Sequence, residues 1–225
     1  MTLCIVALLM AQSVDDVVAR AIQARGGMER IKHLQTQRLT GRISLPAGSG
    51  PLRVEMKRPG MMREEVTVDG KSQIRTTNGE VGWGVGTLRK TPVPQVLSAE
   101  ELKNLANSAD FEGPLVDYKE KGNRIELAGK EKVEKRRAYK LVIAMKNGEN
   151  RIDFIDCKTY LELKWQGRVS DNVFESYFRD YRRVKGLMVA FEIDSGMLGQ
   201  PSNQKIVFEK VEVNPPLDDA RFGKP

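Results

Sequence analysis

The side chains able to do nucleophilic or transition-metal chemistry are few in this 225-residue chain. It has one histidine, His33, and two cysteines, Cys4 and Cys157. A Cys–His catalytic pair, or a metal site built on these ligands, would need His33 together with a cysteine, and no motif links them. His33 precedes a predicted strand, where a surface or helix-capping role is expected. We therefore predict no catalytic residue, no metal site and no cofactor.

The remaining motifs give no positive support for an enzyme. The run Gly82-Trp83-Gly84-Val85-Gly86 lacks the lysine and serine of a phosphate-binding loop and the helix that should follow them. Glycines that give a strand room to curve are the better interpretation. The sequence contains no nucleophile elbow, and no pair of carboxylates is singled out by its context. We predict that the protein is not an enzyme, with an uncharacterised hydrolase kept as an alternative.

Arg58 is the charged residue whose position is unexpected. Leu52, Val54 and Met56 alternate with polar residues, which is the period-two pattern of a strand with one buried face. By the same parity Arg58 lies on the apolar face, just before the turn residues Pro59-Gly60. A charge there is costly unless it has partners. Arg58 is thus either a core ion-pair residue or a latch that holds a covering helix through its carbonyl oxygens.

Three stretches have the spacing of helices that could cover an apolar face. Val14–Arg25 is amphipathic, with Ser13 or Asp15 as its cap. A short second helix is predicted over Met28–Leu34. The third helix, predicted over Leu97–Ala109, has acidic residues in its first turn.

Most of the remaining chain alternates apolar and polar residues between short turns such as Asp69-Gly70 and Asn78-Gly79. We count about ten or eleven strands, with antiparallel pairing expected throughout. Leu115–Lys121 and Arg124–Ala128 are among them, whereas the two prolines of Thr91–Pro94 should exclude that segment from a sheet. The pattern predicts a mainly β fold, either an up-and-down barrel or a strongly curved sheet.

The composition limits the function classes further. Apolar residues make up 40% of the chain and charged residues 30%, as in ordinary soluble globular proteins. The net charge is +7, but the basic residues are scattered among acidic ones and the few aromatic residues show no stacking pattern. We therefore predict no nucleic-acid partner.

The N-terminal stretch Met1–Ser13 stands apart from the rest of the chain. It contains the uncharged apolar run Leu3–Ala11 and ends in small residues of the kind that a signal peptidase reads. We predict a signal peptide cut after residue 13, followed by a single domain over residues 14–225. The basic start of a complete signal peptide is missing, which fits a start further upstream, and a buried N-terminal helix is the alternative. After cleavage only Cys157 remains, so no internal disulfide is expected.

A curved antiparallel sheet has a concave apolar face that must be covered or filled. The N-terminal helix and the Leu97–Ala109 helix are the available covers. They either close an ordinary core, which the sequence alone favours, or roof a ligand cavity. The cavity gains support from flexible methionines that can repack around greasy ligands, namely Met56, Met61, Met62, Met145 and Met188.

One part of the chain resembles a known family. Lys57-Arg58-Pro59-Gly60-Met61-Met62-Arg63 is followed by the Asp69-Gly70 turn and then by Asn78-Gly79-Glu80-Val81-Gly82-Trp83. This order resembles that of bacterial periplasmic lipoprotein carriers, the LolA- and LolB-like outer-membrane lipoprotein-sorting proteins. Those proteins have an Arg-Pro-Gly strand end and then a hairpin with a tryptophan. The Ala24–Arg30 opening and the Asn214–Phe222 ending are similar to exported members of the same superfamily.

The resemblance implies a single unclosed antiparallel β-barrel, with the N-terminal and mid-chain helices as a lid over the concave face. It implies a monomeric periplasmic carrier that holds acyl chains of lipoproteins or lipids in a hydrophobic half-barrel cavity and moves them toward the outer membrane, with envelope membrane proteins as loading and delivery partners. An envelope sensor or protein-interaction module on the same scaffold is the alternative. Arg58 matches the family arginine that holds the lid closed. The side chains expected to line the cavity are Leu52, Val54, Met56, Met62, Val66, Val68, Trp83, Leu102 and Leu105.

Overall fold

The computed structural model describes residues 12–88, 90–169 and 172–225. The predicted signal peptide, apart from Gln12 and Ser13, therefore lies outside the described residues. Within these ranges the α-helices are α1 (Val14–Arg25), α2 (Met28–Lys32) and α3 (Ala99–Ser108), and a 3-10 helix spans Asp219–Phe222.

The described strands form one antiparallel sheet of thirteen strands. They are β1 (Thr36–Leu45), β2 (Gly48–Lys57), β3 (Met61–Val68), β4 (Lys71–Thr77), β5 (Gly82–Gly86), β6 (Thr91–Val96), β7 (Arg124–Val133), β8 (Arg136–Ala144), β9 (Asn150–Asp156), β10 (Glu162–Val169), β11 (Asn172–Val184), β12 (Leu187–Met197) and β13 (Gln204–Val213). Their order across the sheet is β6-β5-β4-β3-β2-β1-β13-β12-β11-β10-β9-β8-β7. Since β6 and β7 are edges that do not pair with each other, the prediction of a mainly β, unclosed antiparallel barrel is confirmed. The sheet has somewhat more strands than predicted.

Two local predictions were wrong. The Thr91–Pro94 segment belongs to β6, an edge strand that pairs only with β5. An edge strand tolerates proline because one side of its backbone needs no ladder partner, and the local sequence does not reveal which strand is an edge. The predicted strand Leu115–Lys121 forms turns instead. Its apolar residues Leu115 and Val116 are buried in the main core, so their pattern belongs to a covering loop.

Close approach of neighbouring strands depends on glycine at two positions. A Cβ atom added to Gly50 would lie 1.8 Å from the carbonyl oxygen of Thr67. A Cβ atom added to Gly41 would lie 2.1 Å from the carbonyl oxygen of Val207. Because any side chain there would push the backbones apart, these glycines permit the close approach of β2 to β3 and of β1 to β13.

Helix α1 follows the prediction closely. The side chain of Ser13 accepts the amide N–H of Asp16 in a capping box, and Gly26 ends the helix with a φ of 130°. The predicted apolar stripe of Val17, Val18, Ala21 and Ile22 is buried in the main core. Helix α1 touches β7 and β12, whereas α3 touches β3 and β4. The two helices, called the lid helices below, thus cover different parts of the concave face.

The convex face carries a buried charge network. Glu55 of β2 is 1% exposed and accepts hydrogen bonds from Arg38, Arg53 and Arg221. Burial opposes ionisation of this carboxyl, but the three arginines outweigh it and lower the pKa of Glu55 to about 2. Because Arg221 belongs to the 3-10 helix, the network fastens that helix to the outside of the sheet.

Candidate functional site

Most of the predicted cavity residues form a filled core. Seven of the predicted cavity residues are at most 9% exposed, and they form one apolar cluster with the buried residues of α1. The seven are Leu52, Val54, Met56, Met62, Val66, Val68 and, from α3, Leu105. Leu102 is half-buried and packs against the same cluster. Under α3 the concave face is therefore occupied by protein side chains, which is the ordinary-core alternative of the sequence analysis.

Trp83 lies on the opposite face of the sheet from these residues. It is opposite Thr76 of β4, whereas Gly82 is opposite Thr77, which is in turn opposite the core residue Met62. Opposed residues share a face and consecutive residues alternate between faces, so Trp83 points away from the concave side. The inward position belongs to Gly82, where an added Cβ atom would lie 2.9 Å from an apolar side chain. The prediction that Trp83 lines the cavity is therefore wrong. A tryptophan motif does not define the pairing register, and the register decides which face of the sheet the side chain is on.

Arg58, directly after β2, binds the end of α2 and the residues that follow it. Its Nε donates to the carbonyl oxygen of Leu34 at 2.7 Å, and Nη2 donates to that of Ile31 at 3.2 Å. Its Nη1 forms an ion pair of 3.2 Å with Glu112, and the guanidinium carbon lies 5.4 Å from the centre of the Phe111 ring. A helix C-terminus has unsatisfied carbonyls and favours a cation. The carbonyl partners thus come from α2 and not from α3, and the mid-chain contact lies just beyond α3.

The Phe111–Glu112 segment is held from several elements at once. Arg25, at the end of α1, donates to the carbonyl oxygens of Phe111 at 2.8 Å and Glu112 at 2.6 Å. Lys121 forms an ion pair of 2.9 Å with Glu112. Burial disfavours the ionised carboxylate, but Lys121 and Arg58 hold the pKa of Glu112 below its usual range. The segment therefore joins α1, the end of β2 and the loop before β7 through one charged residue.

Helix α3 reaches from one side of the sheet to the other. It packs on β3 and β4, and its residue Leu105 is buried in the main core. Lys103 forms an ion pair of 2.7 Å with Glu149, and Asn107 donates to Glu149 at 3.0 Å. Glu149 lies in the turn between β8 and β9, so α3 spans the gap that the unclosed sheet leaves.

A cleft of about 620 Å³ opens between the start of α1 and the edge strand β7. We call it the β7 cleft; it is lined by Gln12, Val14, Ile125, Glu126, Leu127, Gly129, Lys130 and Tyr139. Ile125 and Leu127 are opposite Ile143 and Leu141, which are fully buried in the main core. The apolar wall of the β7 cleft therefore continues directly into the concave face. None of the predicted cavity residues lines it.

The polar end of the β7 cleft is ordered by two tyrosines. Tyr139 donates to the side-chain oxygen of Gln12, whose amide donates to Tyr160 at 3.0 Å. The Tyr139 and Tyr160 rings stack with their centres 5.8 Å apart. Burial, followed by the hydrogen bond with Tyr160, raises the pKa of Tyr139 to about 12. Tyr139 therefore stays neutral near neutral pH and acts as a wall, not as an acid or base.

A second part of the concave face, on β10–β13, is only half-covered. Trp165 is opposite Asp153, which is opposite the core residue Leu141, so it points inward. Phe174, Ile193 and Ile206 have the same inward register. Each of the four is half-buried, and Trp165 and Phe174 belong to neither of the two apolar clusters of the described residues. We call this set the open concave surface.

Three charged side chains stand at the border of the open concave surface. Arg151 and Asp153 of β9 form an ion pair, and Arg151 Nη2 lies 2.6 Å from Glu162 of β10. Asp153 is 1% exposed, whereas 24% of the Arg151 side chain and 23% of the Glu162 side chain are accessible. The Arg151 guanidinium lies 5.1 Å from the Trp165 ring. These three residues are called the ion triad below.

The ion triad was not predicted from the sequence. The alternation around Arg151 and Asp153 was a usable signal, because it places both on the face that Ile155 shares with the core. The third residue of the triad, Glu162, comes from the next strand. A register shift between Glu162 and Lys164 there changes which face of the sheet the following side chains are on. Burial, and then the charge of Asp153, raise the pKa of Glu162 to about 7.

Four further observations concern the described residues outside the β7 cleft and the open concave surface. A cleft of about 490 Å³ lies beside the smaller apolar cluster and is lined by Val133, Glu134, Arg136, Thr159, Leu161, Leu163, Tyr177, Phe178, Arg179, Asp180, Tyr181 and Met188. Over the described ranges, no three His, Cys, Asp or Glu side chains are grouped so that they could hold a metal ion. None of the described helices has both the length and the apolar character needed to span a bilayer. His33 caps α2, as expected.

Comparison with known proteins identifies the fold. No protein-family profile matches the sequence, and no curated protein matches it significantly. Among solved structures, a DUF1329 family protein from Desulfovibrio piger has a TM-score of 0.64 and 14% identity over 95% of this chain and 98% of that one. A LolA superfamily protein from Nitrosomonas europaea has a TM-score of 0.61 and 14% identity over 95% and 99% of the two chains. A domain from Vibrio parahaemolyticus, described as an outer membrane lipoprotein-sorting protein domain, has a TM-score of 0.58 and 14% identity over 91% of this chain and 95% of that one.

The chain therefore has the fold of these LolA superfamily and lipoprotein-sorting proteins along almost its whole length. The resemblance noted for Lys57–Arg63 and Asn78–Trp83 is confirmed at the level of the fold.

Proposed function

We propose that the protein is a periplasmic carrier that binds acyl chains of lipids or lipoproteins. The observation that carries the proposal is the unclosed sheet, whose apolar concave face is roofed by the lid helices and accessible through the β7 cleft. The cleft volume of about 620 Å³ lies in the usual range of ligand sites, roughly 300–1,000 Å³. The shared fold with a LolA superfamily protein supports the same class of function.

An acyl chain would enter between α1 and β7. Val14, Ile125 and Leu127 provide its apolar wall, and Gln12 and Lys130 lie at the polar end. Each methylene removed from water contributes ~0.8 kcal/mol, so ten of them contribute about 8 kcal/mol. Delivery then needs no catalytic step, because lowering the affinity by moving a lid helix is sufficient.

The filled core under α3 gives the lid a role in this proposal. Leu102 and Leu105 occupy the apolar surface that a longer ligand would need, so a larger cargo requires α3 to move. The ties that would have to release are Glu149 with Lys103 and the ion pair of Arg58 with Glu112. Arg58 is proposed as the latch because it joins the end of α2 to the segment that follows α3.

Export to the periplasm is part of the proposal, with a revised cleavage position. The sequence suggests cleavage after Ser13, but Ser13 caps α1 and Gln12 binds Tyr139 and Tyr160. Cleavage after Ala11 would keep both residues in the mature protein. N-terminal sequencing of protein purified from an envelope fraction tests this position, and a mature chain that begins at Val14 would contradict it.

Native mass spectrometry tests the carrier function directly. Protein purified from an envelope fraction is expected to carry acyl-bearing species, and purified protein is expected to take up a fluorescent fatty-acyl probe. Consistent recovery of ligand-free protein, together with no uptake of the probe, would exclude the proposed function.

A sensor or protein-interaction module is the second candidate. It is favoured by apolar side chains on the edge strand β6, where Val93 is 61% and Val96 is 69% exposed. Val96 lies opposite Trp83 on β5, so the two extend one surface on the convex side. A pull-down from envelope extract with Val96→Asp as the matched variant distinguishes the candidates, since a stable protein partner that this variant loses would support the sensor.

A further inference from the structure

The open concave surface combines apolar and charged groups in one place, which a purely apolar cavity would not do. Trp165 and Phe174 are half-buried aromatic residues on the inward face. Arg151 and Glu162 of the ion triad border them, and about a quarter of each charged side chain is accessible. Here an incomplete cover leaves a charged end beside an apolar floor.

The charges of the ion triad select the kind of group that can approach it. Arg151 is bound through Nε and Nη2 by the carboxylates of Asp153 and Glu162. With both carboxylates ionised, the triad has one positive and two negative charges. An anionic group would be repelled by the net negative charge, whereas an ammonium group would be attracted to it and could donate a hydrogen bond to Glu162, which is the accessible carboxylate.

We propose that the open concave surface binds the polar end of a cationic amphiphile, with its ammonium group on Glu162, the accessible carboxylate of the ion triad, and its apolar part on Trp165 and Phe174. This inference deepens the proposed carrier function and rests on it. It adds a preference of the site for ammonium over carboxylate head groups, which the β7 cleft does not provide because its lining contains both Glu126 and Lys130.

The neighbouring charged groups give this preference a pH dependence. Glu162 is faced by Asp153 and Arg151 of β9, by Arg25 of α1 and by Tyr181 of β11. Arg25 is directed to the carbonyl oxygens of Phe111 and Glu112, and it lowers the pKa of Glu162 less than Arg151 does. Since the pKa of Glu162 is about 7, the triad is nearly neutral below that pH and negative above it. The ammonium preference therefore grows as the pH rises through about 7.

Binding of matched single-chain amphiphiles tests the inference. The full chain is titrated with dodecylammonium, dodecanoate and the neutral dodecyl maltoside, below their micelle concentrations, at one pH unit on either side of the Glu162 pKa of about 7. Dodecylammonium is expected to bind about tenfold more tightly than dodecanoate at the higher pH, as expected for one hydrogen bond to a charged group. At the lower pH the difference should shrink.

Two variants make the test specific. Glu162→Gln keeps the shape of the side chain and is expected to abolish both the ammonium preference and its pH dependence, with dodecyl maltoside binding unchanged. Glu175→Gln is the matched control, because Glu175 is a buried, ion-paired carboxylate on the convex face of the neighbouring strand. It should behave as the parent protein does.

The outcomes separate this inference from the carrier function. Binding of dodecyl maltoside without an ammonium preference, or a preference that survives Glu162→Gln, overturns the inference and leaves the carrier function standing. Failure of all three amphiphiles to bind overturns both.

Discussion

Arg58 and Glu112 form an ion pair of 3.2 Å although they are far apart in the chain, one directly after β2 and the other after α3. The same arginine donates to the carbonyl oxygens of Ile31 and Leu34 at the end of α2. One guanidinium therefore connects the sheet, the N-terminal helices and the mid-chain segment that carries α3. This connection makes Arg58 the natural place to test how the lid is held.

Arg58→Leu is expected to loosen the lid more than it destabilises the fold. It removes two carbonyl hydrogen bonds and one partly exposed ion pair, worth about 1–3 kcal/mol together. Hydrogen exchange of α3 and of the Phe111–Glu112 segment should accelerate, and release of a bound acyl probe should change. Arg63→Leu is the control, because Arg63 lies on the same hairpin but binds Glu65 on the convex side. A loss of several kcal/mol in unfolding free energy with unchanged lipid binding would make Arg58 a structural residue only.

Glu149→Ala should release α3 at the opposite rim. Lys103 and Asn107 both lose their partner, but the contact is solvent-accessible and contributes only about 0–1 kcal/mol to stability. We expect faster hydrogen exchange in α3 and faster uptake of an acyl probe, with nearly unchanged thermal unfolding. Glu131→Ala, which removes the exposed ion pair with Lys140, should leave both rates unchanged. Equal rates in the two variants would show that Glu149 does not hold the lid.

Leu127→Trp should obstruct the β7 cleft. Leu127 is half-buried in the wall of the cleft and has room on the cleft side, so a larger side chain fills the space an acyl chain would use. Binding of a fluorescent acyl probe is expected to weaken by about tenfold or more, which corresponds to ~1.4 kcal/mol. Val207→Trp, at a 37% exposed position of β13, controls for the added aromatic surface. Unaltered binding in Leu127→Trp would place the ligand elsewhere on the concave face.

Glu55 should make stability depend on acid pH. Its native pKa of about 2 lies below the ordinary value of 4.5, so its stabilisation is complete above about pH 4.5 and is lost as the pH falls toward 2. Glu55→Gln is expected to lower the unfolding free energy at neutral pH by about 3 kcal/mol. It should also flatten the loss of stability between those pH values. Urea unfolding measured across this range checks both effects.

The control for Glu55 is Glu212→Gln. Glu212 also pairs with Arg38, but only at 3.6 Å and with 29% of its side chain accessible, compared with 1% for Glu55, so little change is expected. A parallel pH dependence in Glu55→Gln and in the parent protein would show that the network contributes no acid-sensitive stability.

Local patterns predicted the elements of the fold because their causes are local. The period-two alternation of Leu52, Val54 and Met56 marks a strand with one buried face wherever that strand lies in the sheet. Ser13 and Gly26 define the ends of α1 by backbone capping within a few residues. The segment from Lys57 to Trp83 resembles lipoprotein carriers, and this resemblance then indicated which curved sheet the strands would form.

Tertiary structure decided the features that depend on distant partners. The prolines of β6 are tolerated because β6 is an edge, and Trp83 faces outward because its register follows from Thr76 of the neighbouring strand. The ion triad joins Arg151 and Glu162 across two strands and a register shift.

The sequence by itself determined an antiparallel, mainly β scaffold with helices over its apolar face, because strand alternation, turn residues and caps act within short stretches. That the barrel is unclosed was implied by the family resemblance. Only the tertiary structure decided that the apolar face is filled under α3, accessible at the β7 cleft and charged beside Trp165. Filling and access depend on which side chains from remote elements meet, and no local pattern contains that information.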